Sequence, residues 1–90
     1  MKVRSMISRA GNPVANQFIL TGDNGHQVFQ SYNSIIAIKQ AGDNPVLLDE
    51  TYWNYSVTTS KYRDQFLGET TDETKAKIDS GEYLLAELNR

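Results

Sequence analysis

A tetrapeptide, Gly22-Asp23-Asn24-Gly25, constrains the fold of this chain more than any other feature. Asparagine before glycine tolerates the positive φ that tight hairpin turns require, and alternating segments flank it on both sides. Residues 14–21 set Phe18 and Leu20 against Gln17 and Ile19; residues 26–32 set Val28, Gln30 and Tyr32 against Phe29 and Ser31. In an extended chain such alternation puts the two sets on opposite faces. A further strand, 34–40, alternates Ile36 and Ile38 with Ile35 and Ala37. Both of its faces are apolar, which places it centrally in the sheet.

The flanking segments extend this hairpin into a domain. Residues 1–9 read as an edge strand, broken by Gly11-Asn12-Pro13, since each of these residues favours turns. Ala41-Gly42-Asp43-Asn44-Pro45 is another turn, and 46–48 form a short strand ending at Asp49. From Asp49 to Tyr55 the chain is dense in aromatics without a clear period, and it reads as a turn or a single helical turn. Thr58 or Thr59 is expected to cap a helix running to Leu67, with Tyr62 and Phe66 on one face. Gly68 stands where a C-cap needs left-handed geometry. Thr70 and Glu73 have capping-box spacing and open a second helix, which Ser80-Gly81 closes. Glu73 and Lys77 are spaced to pair along it. Gly81 stops that helix, so 83–88 is expected to be a last strand. Strands followed by helices predict an α+β fold: a small antiparallel sheet of about four to six strands, with two short helices packed on one side.

A chain of 90 residues fits a single domain, 1–90. A domain of this size buries only about 60–65% of its unfolded surface, so its core is small. With 39% apolar and 22% charged residues the composition is that of an ordinary globular protein. There is no cysteine, which removes disulfides and thiolate zinc sites and fits a reducing compartment. The longest apolar run, Ile35-Ile36-Ala37-Ile38, is strand-sized, and no apolar stretch of signal-peptide length follows Met1-Lys2-Val3-Arg4. A cytoplasmic protein with no membrane contact is expected.

The segments Asn12-Pro13-Val14-Ala15-Asn16-Gln17-Phe18 and Phe29-Gln30-Ser31-Tyr32 with Ile35-Ile36-Ala37, and above all Trp53-Asn54-Tyr55-Ser56-Val57-Thr58-Thr59-Ser60-Lys61-Tyr62-Arg63-Asp64-Gln65-Phe66-Leu67-Gly68 with its specific Tyr-Ser-x-Thr-Thr-x-Lys-Tyr-Arg string, carry a resemblance. The chain resembles a family of small uncharacterised proteins encoded by tailed bacteriophages and prophages, many from gut bacteria. The likeness also takes in Lys77-Ile78-Asp79-Ser80-Gly81-Glu82-Tyr83, so it spans most of the chain. It implies a setting, a phage accessory gene expressed in a bacterial cytoplasm. No catalytic residue carries over from it.

The residue types leave little room for a reaction centre. Zinc sites draw mainly on cysteine and histidine, and the one histidine, His26, stands beside a hairpin turn, where a surface side chain without a role is the plainer reading. Asp23-Asn24-Gly25 is superficially like a calcium loop but lacks the alternating oxygen ligands and the closing glutamate. A serine or threonine nucleophile needs a base and an orienting group, and nothing places one beside His26. Asp49 and Glu50 are adjacent, so in an extended chain they face opposite ways; a solvated turn accounts for them. Neither G-x-G-x-x-G nor a P-loop occurs. No enzyme, no metal and no cofactor are therefore expected.

What remains is a binding surface. Tyr52, Trp53 and Tyr55 precede a helix carrying Lys61, Tyr62 and Arg63. Aromatics interleaved with cations suit single-stranded nucleic acid, where bases stack on rings. They suit a protein interface equally, because tryptophan, tyrosine and arginine dominate interface energetics. A core role is the plainer reading for Trp53, Tyr62 and Phe66, whereas Tyr52, Tyr55, Lys61 and Arg63 are expected to be exposed. The charge is uneven: residues 1–40 carry four basic groups against one acidic (+3), and residues 41–90 carry five against ten (−5). The net charge of −2 disfavours generic polyanion binding. The acidic stretch 69–82 suits either a solvated helix or a mimic of nucleic-acid phosphates. The leading expectation is a non-enzymatic protein that binds a host or phage protein through Tyr52, Trp53, Tyr55, Lys61 and Arg63. A single-stranded nucleic-acid binder using Arg4, Arg9, Lys39, Lys61, Arg63 and exposed tyrosines is the alternative, and pairing of exposed strand edges makes a homodimer a further expectation.

Overall fold

A computed structural model describes residues 2–89. Its strands are β1 (Lys2–Ile7), β2 (Pro13–Thr21), β3 (Gln27–Ser31), β4 (Ser34–Lys39), β5 (Leu47–Asp49) and β6 (Leu84–Ala86), and its helices are α1 (Val57–Leu67) and α2 (Thr71–Ser80). The strands form one six-stranded sheet in sequence order, β1-β2-β3-β4-β5-β6. β1 is an edge strand, as its weak alternation implied; Met1 lies outside the described residues.

The meander β1 to β5 is antiparallel throughout, and β6 runs parallel to β5. This departs from the all-antiparallel expectation. A parallel neighbour needs a crossover connection, and here residues 50–83 supply it, carrying both helices over the same face. Side chains locate that face. The Thr59 and Ser31 hydroxyls are 3.0 Å apart, the Phe66 and Phe29 rings lie 5.7 Å apart, and Ile78 of α2 packs on the same core.

In the β2–β3 turn only Gly25 takes the left-handed conformation, with φ 90. Asn24 contributes through its side chain, whose Oδ1 accepts from the His26 N–H at 3.3 Å. A bulge shapes the centre of the sheet: Phe29 pairs with Ala37 and Gln30 with Ile35, leaving Ile36 as an extra residue on β4. Such a bulge breaks strict alternation, and Ile36 and Ala37 are both fully buried. Phe29, Leu48, Tyr62 and Phe66 complete the middle of the core. Each large apolar side chain buried there stabilises the fold by about 1.5–3 kcal/mol.

Helix α1 buries Thr59, Tyr62, Arg63 and Phe66, the spacing of one helical face. Its N-cap is Ser56, not Thr58 or Thr59; the Ser56 hydroxyl accepts from the Thr59 N–H at 3.1 Å. Thr59 is inside, bonded to Ser31, and so is not free to cap. Gly68 closes α1 in left-handed geometry with φ 71. Thr70 and Glu73 form the expected capping box on α2, and Gly81 ends it. Because the Glu73 carboxylate is used at the cap, Lys77 pairs with Glu69 at 2.8 Å and not with Glu73. Gln17, opposite Ser31 under α1, is fully buried, and its side-chain amide has no partner among the described residues.

Candidate functional site

The five residues singled out from the sequence divide into two groups. Arg63 is fully buried, against the expectation of exposure. Its guanidinium donates to the Trp53 carbonyl, to Asn54 Oδ1 at 3.1 Å, to Asp64 Oδ1 at 2.8 Å and to Thr71 Oγ1 at 2.7 Å. It also lies over the Trp53 ring at 5.1 Å. A buried cation is tolerated only when paired and hydrogen-bonded, and these contacts tie the 50–56 turn, α1 and α2 together. Trp53 is half-buried against the core, which is the structural role expected for it.

Tyr55 and Lys61 do come together. They line an open groove of about 1160 Å³ between the β1–β2 turn and α1, with Ile7, Arg9, Val57 and Gln65. Tyr52, expected to be exposed, instead packs half-buried against the core behind them, its ring edge-on to Tyr55 at 5.2 Å. Three large apolar side chains are exposed here: Ile7 at 47%, Tyr55 at 48% and Val57 at 88%. The Gln65 amide donates to the Ile7 carbonyl at 2.8 Å, tying the two walls together.

The free charge of the groove is positive. Asp64 and Glu69 line it, but Asp64 is paired to Arg63 and Glu69 to Lys77. Arg9 and Lys61 make no ion pair among the described residues. The N-terminus of α1 opens onto the same space with no acidic residue in its first turn, so its positive dipole end is uncompensated. Ile7 and Val57 were not singled out from the sequence, and Arg9 was named only among the scattered cations of the nucleic-acid alternative. They lie far apart along the chain, and only the tertiary fold joins them.

The shifted ionisable groups serve the fold, and of them only Glu69 lines the groove. Burial works to raise the Glu69 carboxyl, but hydrogen bonds from Lys77, Thr74 and Tyr83 outweigh it and hold the group below the usual carboxylate range. Burial, reinforced by the bond to Glu69, pushes the Tyr83 hydroxyl up to about 12. Asp49 is buried, not in a solvated turn. Burial raises its carboxyl, while N–H groups of Leu88, Tyr52 and Thr51 and the Asn89 side chain lower it, for a net downward shift. His26 likewise has a local role, its Nδ1 accepting from the Ala41 N–H at 3.0 Å. Among the described residues no group of three or more histidine, cysteine, aspartate or glutamate side chains is placed to hold a metal ion. No helix among them is long and apolar enough to cross a membrane.

Fold and groove together define a small α+β domain on a six-stranded, mostly antiparallel sheet with two helices. Residues 1–82 match the model of a family of unknown function, DUF8033, and the chain belongs to that family. No curated protein and no solved structure matches it.

Proposed function

We propose that this protein acts without catalysis, by taking a segment of a partner protein into the groove beside α1. One observation carries the reading: Ile7, Tyr55 and Val57 are exposed around a single concave surface that also holds the unpaired cations Arg9 and Lys61. Exposed apolar side chains around a cleft mark interaction sites, and desolvated tyrosine makes a strong anchor. The cations and the helix dipole favour a segment that carries carboxylates beside its apolar anchors. The sequence resemblance supports a setting for this activity, a phage or prophage accessory protein that modulates a host or phage process in the bacterial cytoplasm.

The test is capture from host lysate with wild type and two groove variants, Val57→Asp and Lys61→Glu. A stoichiometric partner retained by wild type and lost by both variants is expected. Capture and cross-linking that return only the protein itself, or a partner indifferent to both substitutions, defeats the reading. A second reading draws on the same Tyr55 ring and on Arg9 and Lys61, which suit a single nucleic-acid strand. It requires a salt-sensitive mobility shift weakened by Lys61→Ala, and no binding at low salt eliminates it.

A further inference from the structure

The helices cover one face of the sheet, and its other face is built differently. Cross-strand pairing sets Val3, Leu20, Val28, Ile38, Leu47 and Leu84 in one row that crosses every strand. Phe18 and Ile35 extend it in the next row, on either side of Gln30. None of these eight side chains belongs to the core cluster or packs against it. The outermost, Val3 and Leu84, are 63% and 46% exposed. The first row carries no charge; the second holds Ser5, Gln30 and, on β5, Asp49, whose carboxylate is buried and accepts from the Thr51, Tyr52 and Leu88 N–H groups.

We propose that this face is the interface of a homodimer in which two copies pack sheet on sheet. A twofold axis sets a surface against itself, so a charged face meets its own sign, whereas an uncharged aliphatic row meets its like without conflict. The shape fits as well, because twisted sheets stack about 10 Å apart with strands within about 30° of each other. The extent comes close to what a specific dimer needs. Six strands about 4.8 Å apart, three to nine residues long and about five on average at about 3.3 Å per residue, give a face of roughly 24 by 18 Å, or about 430 Å² in projection. Side-chain relief raises the accessible area above that projection, so two copies together approach the ~1,200 Å² at which specific interfaces begin. The groove lies on the α1 side and stays open, so this inference is independent of the proposed function. Such a dimer presents two grooves pointing outward.

Sedimentation equilibrium from low-micromolar to submillimolar protein tests it. A doubling of mass is expected for wild type, and a monomer at every concentration for Leu20→Lys with an unchanged far-UV spectrum. The chain has no cysteine, so single-cysteine variants give a second test that leaves the fold nearly untouched. Sheets stacked about 10 Å apart are too distant for a direct disulfide, so a short bis-maleimide is used: Val28→Cys, at the centre of the row, is expected to be cross-linked into a dimer, whereas Val57→Cys in the groove is not. A wild type that stays monomeric throughout overturns the proposal, as does a dimer that survives Leu20→Lys. Cross-linking through Val57→Cys and not Val28→Cys overturns it too, and this result remains decisive if Leu20→Lys fails to fold.

Discussion

Phe29 and Val28 are neighbours on β3, yet Phe29 is wholly buried under α1 while Val28, pointing to the other face, is only half-buried. The contrast repeats along the strands: Ala37 and Leu48 lie inside, and their neighbours Ile38 and Leu47 lie on the open side. The two sheet faces are therefore made from similar aliphatic residues and do different work. One encloses the core; the other has apolar side chains that no part of the described chain packs into that core. Apolarity alone does not mark a residue as core. The distinction lies in what the crossover between β5 and β6 covers.

The largest expected effect tests this directly. Phe29→Ala should cost about 3–5 kcal/mol, as large-to-small changes in a closed core do. Val28→Ala, measured at low protein concentration, should cost about 1 kcal/mol or less. Chemical denaturation of both variants checks the pair, and equal costs would break the contrast between the faces. Arg63→Leu comes next, at about 3 kcal/mol, because it strips partners from Asp64 and Thr71 and removes a buried, hydrogen-bonded cation. A thermal midpoint within a few degrees of wild type would mean that the guanidinium does not join the turn to the helices.

Gln17 sharpens the contrast from the covered side. Its amide is buried without a partner, so Gln17→Met should raise stability by about 1–2 kcal/mol. Lower stability of that variant would show the amide to be satisfied in solution. The smallest effects come from pH. Glu69 and Asp49 have folded pKa values below their unfolded ones. Their contribution is present above about pH 4.3 and is lost as pH falls through the folded values. Tyr83 has the opposite sign: its pKa is raised to about 12, so its contribution holds below about pH 10 and disappears as pH rises toward that value. Thermal midpoints across acid and alkaline pH should decline at both ends, and Glu69→Gln should flatten both limbs.

The alternating strands, the Gly25 turn, the Gly68 and Gly81 caps and the capping box were legible in the sequence because each rests on local backbone chemistry. Other features were hidden for physical reasons. Two of the four buried residues of α1, Thr59 and Arg63, are polar, so the helix shows little apolar periodicity and its inward arginine looks like a surface cation. The parallel partner of β5 depends on how the crossover folds back, which no local spacing records. Of the candidate site, Tyr55 and Lys61 were legible, since aromatics and cations near a helix start stand out. Ile7 and Val57 were not, because they meet Tyr55 only after β1 is paired with β2 and α1 is docked; Arg9 was visible only as one cation among several, with nothing to place it beside Tyr55.

The parallel pairing of β5 with β6 has a consequence for assembly. Strands β1 to β5 are joined by short turns, and each can zip onto its predecessor with little loss of chain freedom. β6 cannot dock until residues 50–83 have been ordered over the sheet, a far longer loop to close. The Leu88 N–H bond to Asp49 Oδ1 at 2.9 Å then holds the returning segment in place. An order of events follows in which a five-stranded meander forms early and half-finished, with its helix-bearing lid latched last by a handful of residues around Asp49.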